Sequence, residues 1–137
     1  MLMNGLRMEQ RRVFGRRVLV VEDDTSVRDS IALLLRIDRH EVTEATNGWA
    51  ALELVSLRPF DLVVLDFAMP GMLGGELALH IKRISPTLPI LMITAYLGFL
   101  DETDKPVDAV LGKPFGVVEL RGVVSRLLSG ADCFCSD

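Results

Sequence analysis

Several charged and hydroxyl side chains stand directly after short apolar runs of the chain. They are Glu22 and Asp23, Asp66, Thr94 and Lys113. Carboxylates are oxygen ligands that suit Mg²⁺, while a hydroxyl and an ammonium group can bind phosphoryl oxygens. These residue types therefore predict metal-assisted phosphoryl transfer, provided that the fold brings the four positions together.

Each of these residues also has an ordinary explanation when it is considered alone. Asp66 could cap a turn, and Glu22 and Asp23 could be acids at the N-terminus of a helix. Together, however, three carboxylates a few ångströms apart repel one another by roughly 4 kcal/mol per pair at an effective dielectric constant near 20. A divalent cation would neutralise them, and Asp66 would then be placed as a carboxylate nucleophile.

The elements that must position these residues alternate along the chain. Short β-branched and leucine-rich runs predict strands over residues 18–21, 42–45, 62–65, 90–93 and 109–111. Apolar residues at helical spacing lie between the strands and after the last one, which predicts a doubly wound parallel sheet with helices on both faces. In such a sheet ligands bind at the carboxyl ends of the strands.

The helical spacing can be read residue by residue. We expect the first helix to begin with Thr25 or Ser26 as its N-cap. The predicted apolar stripes of the other well-defined helices include residues 48–55, 73–84 and 117–127. The helix between the fourth and fifth strands is the weakest, because Gly98 and Pro106 leave room for about two turns, near residues 97–104.

Composition narrows the class of protein. The chain has 137 residues, half of them hydrophobic, which suits a single globular domain. The two cysteines, Cys133 and Cys135, fit neither a disulfide framework nor a four-ligand metal site. No apolar stretch is long enough to span a membrane, and we expect a cytoplasmic protein.

Four segments carry a resemblance to a known family. The segments are VLVVEDD with Arg28 following, LDFAMPGMLGG, MITA and GKPF, and they resemble the landmark segments of the receiver domain of two-component response regulators. The resemblance covers about residues 17–128. It implies a (βα)5 flavodoxin-like fold that accepts a phosphoryl group on Asp66 from a sensor histidine kinase or a phosphotransfer protein. We expect a receiver of the stand-alone type, with a receiver that belongs to a longer protein as the alternative.

The same resemblance implies a metal site. Asp23 and Asp66 would bind Mg²⁺ directly, with Mn²⁺ as an alternative ion, and Glu22 would bind through water. The backbone carbonyl of Ala68 would complete the protein ligands. Asp24 falls one place after the acidic pair, which implies a surface acid or a helix cap.

Other positions of the family pattern concern the phosphoryl group. Thr94 would follow the phosphoryl group inward and Lys113 would pair with it, and the bond from Lys113 to Pro114 is often cis in the family. Gly74 matches the glycine at the head of the third helix. Ala68 and Tyr96 occupy positions that influence phosphoryl lifetime in the family, although Tyr96 could equally be a loop aromatic.

The sequence departs from the family pattern in the region before Lys113. Val110 stands where the family usually carries an aromatic residue that rotates inward, and a β-branched side chain has few rotamers to exchange. The fourth helix is also shortened. We therefore expect an output surface that differs from that of the common DNA-binding regulators. Leu97, Phe99 and Leu100 could form an exposed docking patch, but apolar residues at such spacing are more often core residues.

The resemblance also indicates how the chain divides into segments and how it would signal. We expect a basic N-terminal extension over residues 1–16, a receiver domain over 17–130 and a tail over 131–137. Signalling would occur through contact with a downstream protein that the sequence does not identify, with homodimerisation as one option and without direct DNA or membrane binding. The domain would act as a phosphoacceptor that assists only its own phosphorylation and dephosphorylation.

Three other functions compete with this interpretation. A phosphatase of the haloacid dehalogenase type needs a second aspartate two residues after its nucleophile, where this chain has Ala68. A dinucleotide- or flavin-binding module needs a glycine-rich or hydroxyl-rich phosphate loop after the first strand, where this chain has acids. A receiver-like module that acts without phosphorylation remains open, although every landmark side chain for phosphorylation is present.

Overall fold

A computed structural model describes residues 15–95 and 106–129 of the chain. Its five strands are β1 (Arg17–Val21), β2 (Glu41–Ala45), β3 (Leu62–Asp66), β4 (Ile90–Thr94) and β5 (Ala109–Gly112). All five predicted strands are confirmed, and each boundary agrees to within one residue.

Four helices belong to the described residues. They are α1 (Thr25–Ile37), α2 (Gly48–Leu57), α3 (Gly74–Ile84) and α4 (Val117–Leu128). The helix predicted near residues 97–104 lies outside the described residues, together with Tyr96, the proposed patch of Leu97, Phe99 and Leu100, and both cysteines. Within residues 15–95 and 106–129, no helix is long and apolar enough to cross a membrane.

The strands form one parallel sheet in the order β2-β1-β3-β4-β5. The chain first builds outward from β1 to β2 and then crosses back to β3, so the direction of winding reverses between β1 and β3. At such a reversal the loops that follow the two strands diverge and leave a crevice at their carboxyl ends. The predicted doubly wound flavodoxin-like fold is thereby confirmed.

Both faces of the sheet are buried at its central strands, because alternate residues of β1, β3 and β4 enter different hydrophobic clusters. On β1, Leu19 and Val21 pack in the cluster covered by α2 and α3, whereas Val18 and Val20 pack in the cluster covered by α1 and α4. This double burial explains why β1, β3 and β4 contain continuous apolar runs, whereas the edge strand β2 also carries Glu41, Thr43 and Glu44.

The start of α1 corrects one prediction. Its N-cap is Asp24, not Thr25 or Ser26, and the Asp24 Oδ1 atom accepts a hydrogen bond from the Val27 N–H at 3.2 Å. The first turn of α1 therefore begins at Thr25, one residue earlier than it would if Thr25 were the N-cap. The expectation that Asp24 lies outside the acidic pair and serves as a cap is consistent with this geometry.

Three residues assigned to the apolar stripes of the helices are about half exposed. Leu73 precedes α3 as its N-cap, Ile84 ends α3 and Val117 begins α4, with exposed fractions of 51%, 46% and 49%. Helical spacing shows which residues share one face of a helix. Residues at the ends of that face can still be exposed, because the sheet does not extend far enough to cover them. The buried parts of both stripes are correspondingly shorter than predicted.

Candidate functional site

Two of the acidic residues lie side by side at the reversal point of the sheet. Glu22 immediately follows β1, and its N–H still donates to the Ala45 carbonyl oxygen at 3.1 Å. Asp66 is the last residue of β3, which pairs directly with β1. Both side chains are buried, with exposed fractions of 2% and 5%.

Lys113 connects these two carboxylates. It follows β5, and its Nζ atom lies 3.0 Å from Asp66 Oδ1 and 3.4 Å from Glu22 Oε1. The predicted convergence of Glu22, Asp66 and Lys113 is therefore present in the structure. Its single positive charge can balance only one of the three negative charges that Glu22, Asp66 and the neighbouring Asp23 would carry when ionised.

The three carboxylates form a compact oxygen cluster. Glu22, Asp23 and Asp66 each offer one oxygen atom within 4.8 Å of the others. Asp23 is exposed, so the cluster is open to solvent on one side and buried on the other. An open site with carboxylate oxygens fits Mg²⁺, which keeps several waters when it binds to proteins. The donor set thus suits the ion that the sequence predicted.

Burial and mutual repulsion act on the ionisation of the site. Burial raises the pKa of Asp66 and outweighs the hydrogen bond and the charge of Lys113, which lower it; the Asp23 charge adds a smaller upward effect. Burial likewise raises the pKa of Glu22, with a further contribution from Asp66. Burial alone would lower the pKa of Lys113, but the hydrogen bonds and charges of Asp66 and Glu22 outweigh it and raise that pKa. Bound cation would favour the ionised carboxylates.

A cavity of about 240 Å³ opens above the carboxylates. Its lining consists of Glu22, Asp23, Asp24, Asp66, Ala68, Ala95 and Lys113. Small alanine side chains stand on the loops after β3 and β4, so the approach to Asp66 is not covered by a large side chain of the described residues. The cavity can admit a metal ion and a phosphoryl group together.

Thr94 and Val110 do not line this cavity. Thr94 ends β4 and is buried, and its carbonyl oxygen accepts a hydrogen bond from the Lys113 N–H at 2.8 Å. Val110 pairs with Met92 across β4 and β5 and packs against the cluster on the α2 and α3 face. This backbone hydrogen bond joins the end of β4, where Thr94 lies, to Lys113, which follows β5.

Gly74 explains how the loop after β3 can turn so tightly. A Cβ atom added at Gly74 would lie 2.5 Å from the Asp66 carbonyl oxygen and 2.8 Å from Phe67 Cα. The Gly74 N–H also donates to the Phe67 carbonyl oxygen at 2.7 Å. The start of α3 therefore rests directly on the backbone of the predicted phosphoacceptor. The peptide bond from Lys113 to Pro114 is cis, as the family resemblance implied.

Two residues near the site were not assigned a role from the sequence. Arg28 of α1 donates through Nη1 to the Glu22 carbonyl oxygen at 2.9 Å, and through Nε to Glu44 Oε1 at 3.1 Å. In the sequence, Arg28 belongs to a landmark segment and Glu44 to a predicted strand, and neither position predicts a contact with the site. A basic residue one helical turn after an acidic loop was the available signal.

Comparison with known proteins gives one family. The family model described as the response regulator receiver domain matches residues 18–125. The response regulator receiver protein CpdR of Brucella abortus (strain 2308) is 35% identical over 119 residues, which are 85% of this chain and 99% of that protein. The transcriptional regulatory protein YrkP of Bacillus subtilis (strain 168) is 40% identical over 115 residues, but this chain spans only 49% of its length.

A solved structure agrees with these sequence relatives. The response regulator TrrA of Thermotoga maritima, determined in complex with Mg²⁺-BeF, superimposes with a TM-score of 0.77 and 32% identity. The match covers 82% of this chain and 98% of that one. The similarity therefore extends over most of this chain and nearly all of that one.

Proposed function

Because this chain belongs to the receiver-domain family of two-component response regulators, we propose that Asp66 is the residue on which it accepts a phosphoryl group. Phosphorylation on aspartate is the general function of this family, and its members receive the group from histidine kinases or phosphotransfer proteins. One observation carries the assignment to Asp66: its carboxylate lies 3.0 Å from Lys113 Nζ, at the base of an open acidic cavity.

The transfer is a substitution at phosphorus. An Asp66 carboxylate oxygen forms a bond to phosphorus while the bond from phosphorus to the donor's imidazole nitrogen breaks, and the imidazole keeps the electron pair. Lys113 then pairs with an oxygen of the acquired phosphoryl group. The protein contributes mainly position and charge neutralisation, which is typical of phosphoryl transfer.

Mg²⁺ supplies positive charge for the phosphoryl oxygens when it is bound. Asp23 and Asp66 would hold the ion directly, Glu22 through water, and the carbonyl of Ala68 would complete the set. Their support is the compact carboxylate cluster and the place of Ala68 on the cavity wall. Mn²⁺ has the same preference for oxygen ligands and is proposed as a substitute.

The remaining site residues are proposed from the family pattern. Thr94 would donate its hydroxyl hydrogen bond to the phosphoryl group, and Val110 would replace the usual aromatic partner of this threonine. Ala68 and Tyr96 would tune the lifetime of the phosphorylated state. A shortened helix after Thr94, which only the sequence predicts, would make the output surface and the downstream protein differ from those of common regulators.

The domain would act as a phosphoacceptor and not as an enzyme on external substrates. Ala68 lies on the cavity wall at the position where a haloacid dehalogenase phosphatase has its acid-base aspartate. The extents of the basic extension (1–16), the receiver (17–130) and the tail (131–137), the cytoplasmic location, homodimerisation and the lack of DNA binding all stay predictions.

The proposal can be tested with a small acyl phosphate and Mg²⁺. We expect a mass increase of one phosphoryl group that is stable in acid and labile in base. Asp66→Asn should abolish it. Asp24→Asn is the matched control, because it removes a neighbouring carboxylate while asparagine still caps α1, and it should retain the label.

Three results would contradict this function. Label that persists in Asp66→Asn would assign the phosphoacceptor to another residue. Wild-type protein that acquires no label would support a module that acts without phosphorylation. Repeated turnover of a phosphate ester would instead support a phosphatase.

A further inference from the structure

We propose that Arg28 is a positioning residue, which holds the peptide group between Glu22 and Asp23 and thereby sets the metal affinity of the site. The inference rests on the proposed function, because it concerns the same carboxylates. Arg28 does not belong to the cavity lining, and its side chain is only 13% exposed. Its contact with the site is the hydrogen bond from Nη1 to the Glu22 carbonyl oxygen.

That carbonyl belongs to the peptide group that connects the two acids. The adjacent peptide is fixed on the other side, since the Glu22 N–H donates to the Ala45 carbonyl oxygen of β2. The Glu22 carboxylate also has its own supports, from the Asp24 N–H at 3.2 Å and from Lys113. Glu22 is thus held at its backbone and at its side chain.

Asp23 lacks comparable support. Its carboxylate makes no hydrogen bond or ion pair with any residue in 15–95 or 106–129, and the residue is exposed. The place from which this side chain starts, at the Asp23 Cα and Cβ atoms, therefore depends on the orientation of the peptide group before it. Arg28 fixes that orientation through its hydrogen bond to the Glu22 carbonyl oxygen. In this way Arg28 influences the position of the Asp23 carboxylate relative to Asp66 through a hydrogen bond that neither aspartate makes.

Glu44 of β2 keeps Arg28 in place. Glu44 Oε1 accepts from Arg28 Nε at 3.1 Å, and Glu44 Oε2 accepts from Arg36 Nη2 at 3.1 Å. The guanidinium of Arg28 therefore spans a backbone carbonyl on one side and a carboxylate on the other. A lysine cannot reproduce this bridge, because its single ammonium group lacks the planar fork of donors.

A positioning role of Arg28 and a purely electrostatic role predict opposite changes in Mg²⁺ affinity when Arg28 is removed. If Arg28 acted only through its positive charge, its removal would reduce the repulsion of a cation and strengthen Mg²⁺ binding. If Arg28 positions Asp23, its removal should weaken binding, as the loss of residues that orient metal ligands usually does. The sign of the change therefore separates the two roles.

Arg36→Gln is the matched control for Arg28→Gln. Each substitution removes one positive charge and one hydrogen bond to Glu44, but only Arg28→Gln releases the Glu22 carbonyl. We expect Arg28→Gln and Arg28→Lys to weaken Mg²⁺ binding about tenfold by calorimetric titration at constant ionic strength. Arg36→Gln should stay within about twofold of wild type. Circular dichroism and urea unfolding establish that each variant is folded.

A second measurement needs no metal. The Asp24 amide donates to Glu22 Oε2, so its hydrogen exchange reports the geometry of the acidic loop in the metal-free protein. Exchange at Asp24 should accelerate in Arg28→Lys and remain unchanged in Arg36→Gln. This readout would still apply if Arg28→Gln did not fold.

The outcomes separate this inference from the proposed function. Wild type that binds Mg²⁺ and labels on Asp66, together with unchanged or tighter binding in both Arg28 variants, would overturn only the positioning role. Equal weakening in the Arg28 variants and Arg36→Gln would also overturn it, because the effect would then belong to the Glu44 network as a whole. Wild type without Mg²⁺ binding would overturn the proposed function itself.

Discussion

Replacing Gly74 by alanine should damage both the stability of the fold and the acceptance of phosphate. The added Cβ atom would meet backbone on two sides, at the Asp66 carbonyl oxygen and at Phe67 Cα. Neither contact can be relieved by rotation of a side chain. Either α3 moves away from β3, or the end of β3 moves with Asp66.

The size of the effect follows from the distances. A Cβ at 2.5 Å from the Asp66 oxygen must retreat by about 0.9 Å to reach ordinary contact at 3.4 Å. Overpacking of a buried site costs roughly 1–3 kcal/mol, while glycine to alanine in a helix returns up to about 1 kcal/mol. We expect a net loss of about 1–2 kcal/mol. A displacement of about 1 Å at a reacting group can also slow its reaction by up to about 100-fold.

The assays are urea unfolding and the rate of labelling by an acyl phosphate. Gly122→Ala is the matched control, because Gly122 lies inside α4 and its added Cβ would meet nothing within 4 Å. That variant should gain about 0.5–1 kcal/mol and label like wild type. If Gly74→Ala were as stable as Gly122→Ala, the close approach of α3 to the Asp66 backbone would be wrong.

Three further predictions concern other parts of the molecule. Arg39 has a φ of +68°, so Arg39→Gly should raise the free energy of unfolding by about 1 kcal/mol, and an unchanged urea midpoint would contradict the strain. The pKa of His40 lies below its ordinary 6.5, mainly because burial of the ring disfavours its charged form. The unfolded chain then binds a proton that the folded chain does not, so stability should fall as the pH drops below about 6.5, and His40→Asn should flatten this slope while keeping an acceptor for the Arg16 N–H. Mg²⁺ should stabilise wild type by about 2.7 kcal/mol at 100 times its Kd, and Asp23→Asn, measured by thermal unfolding over a Mg²⁺ series, should lose most of this gain.

Local sequence determined the strands and most of the helices. The strands β1, β3 and β4 are runs of mostly β-branched and leucine residues with a polar residue at or directly after the end, and all five predicted strand boundaries agree with the structure to within one residue. Polar residues at strand ends were also sufficient to propose Glu22, Asp66 and Lys113 as neighbours. This succeeded because the carboxyl ends of parallel strands meet at one edge, whatever their separation along the chain.

Only the tertiary structure decided how these neighbours are held. Lys113 and Glu22 are 91 positions apart, and their 3.4 Å contact depends on the order of the strands in the sheet. The bond from Arg28 to the Glu22 carbonyl joins a helix side chain to a loop backbone, and its partner Glu44 lies on another strand. Periodicity states which residues share a face, but the rotation and tilt of a helix arise from packing against the sheet. Contacts such as these, and the exposure of Leu73, therefore follow from the assembled layers and not from any one segment.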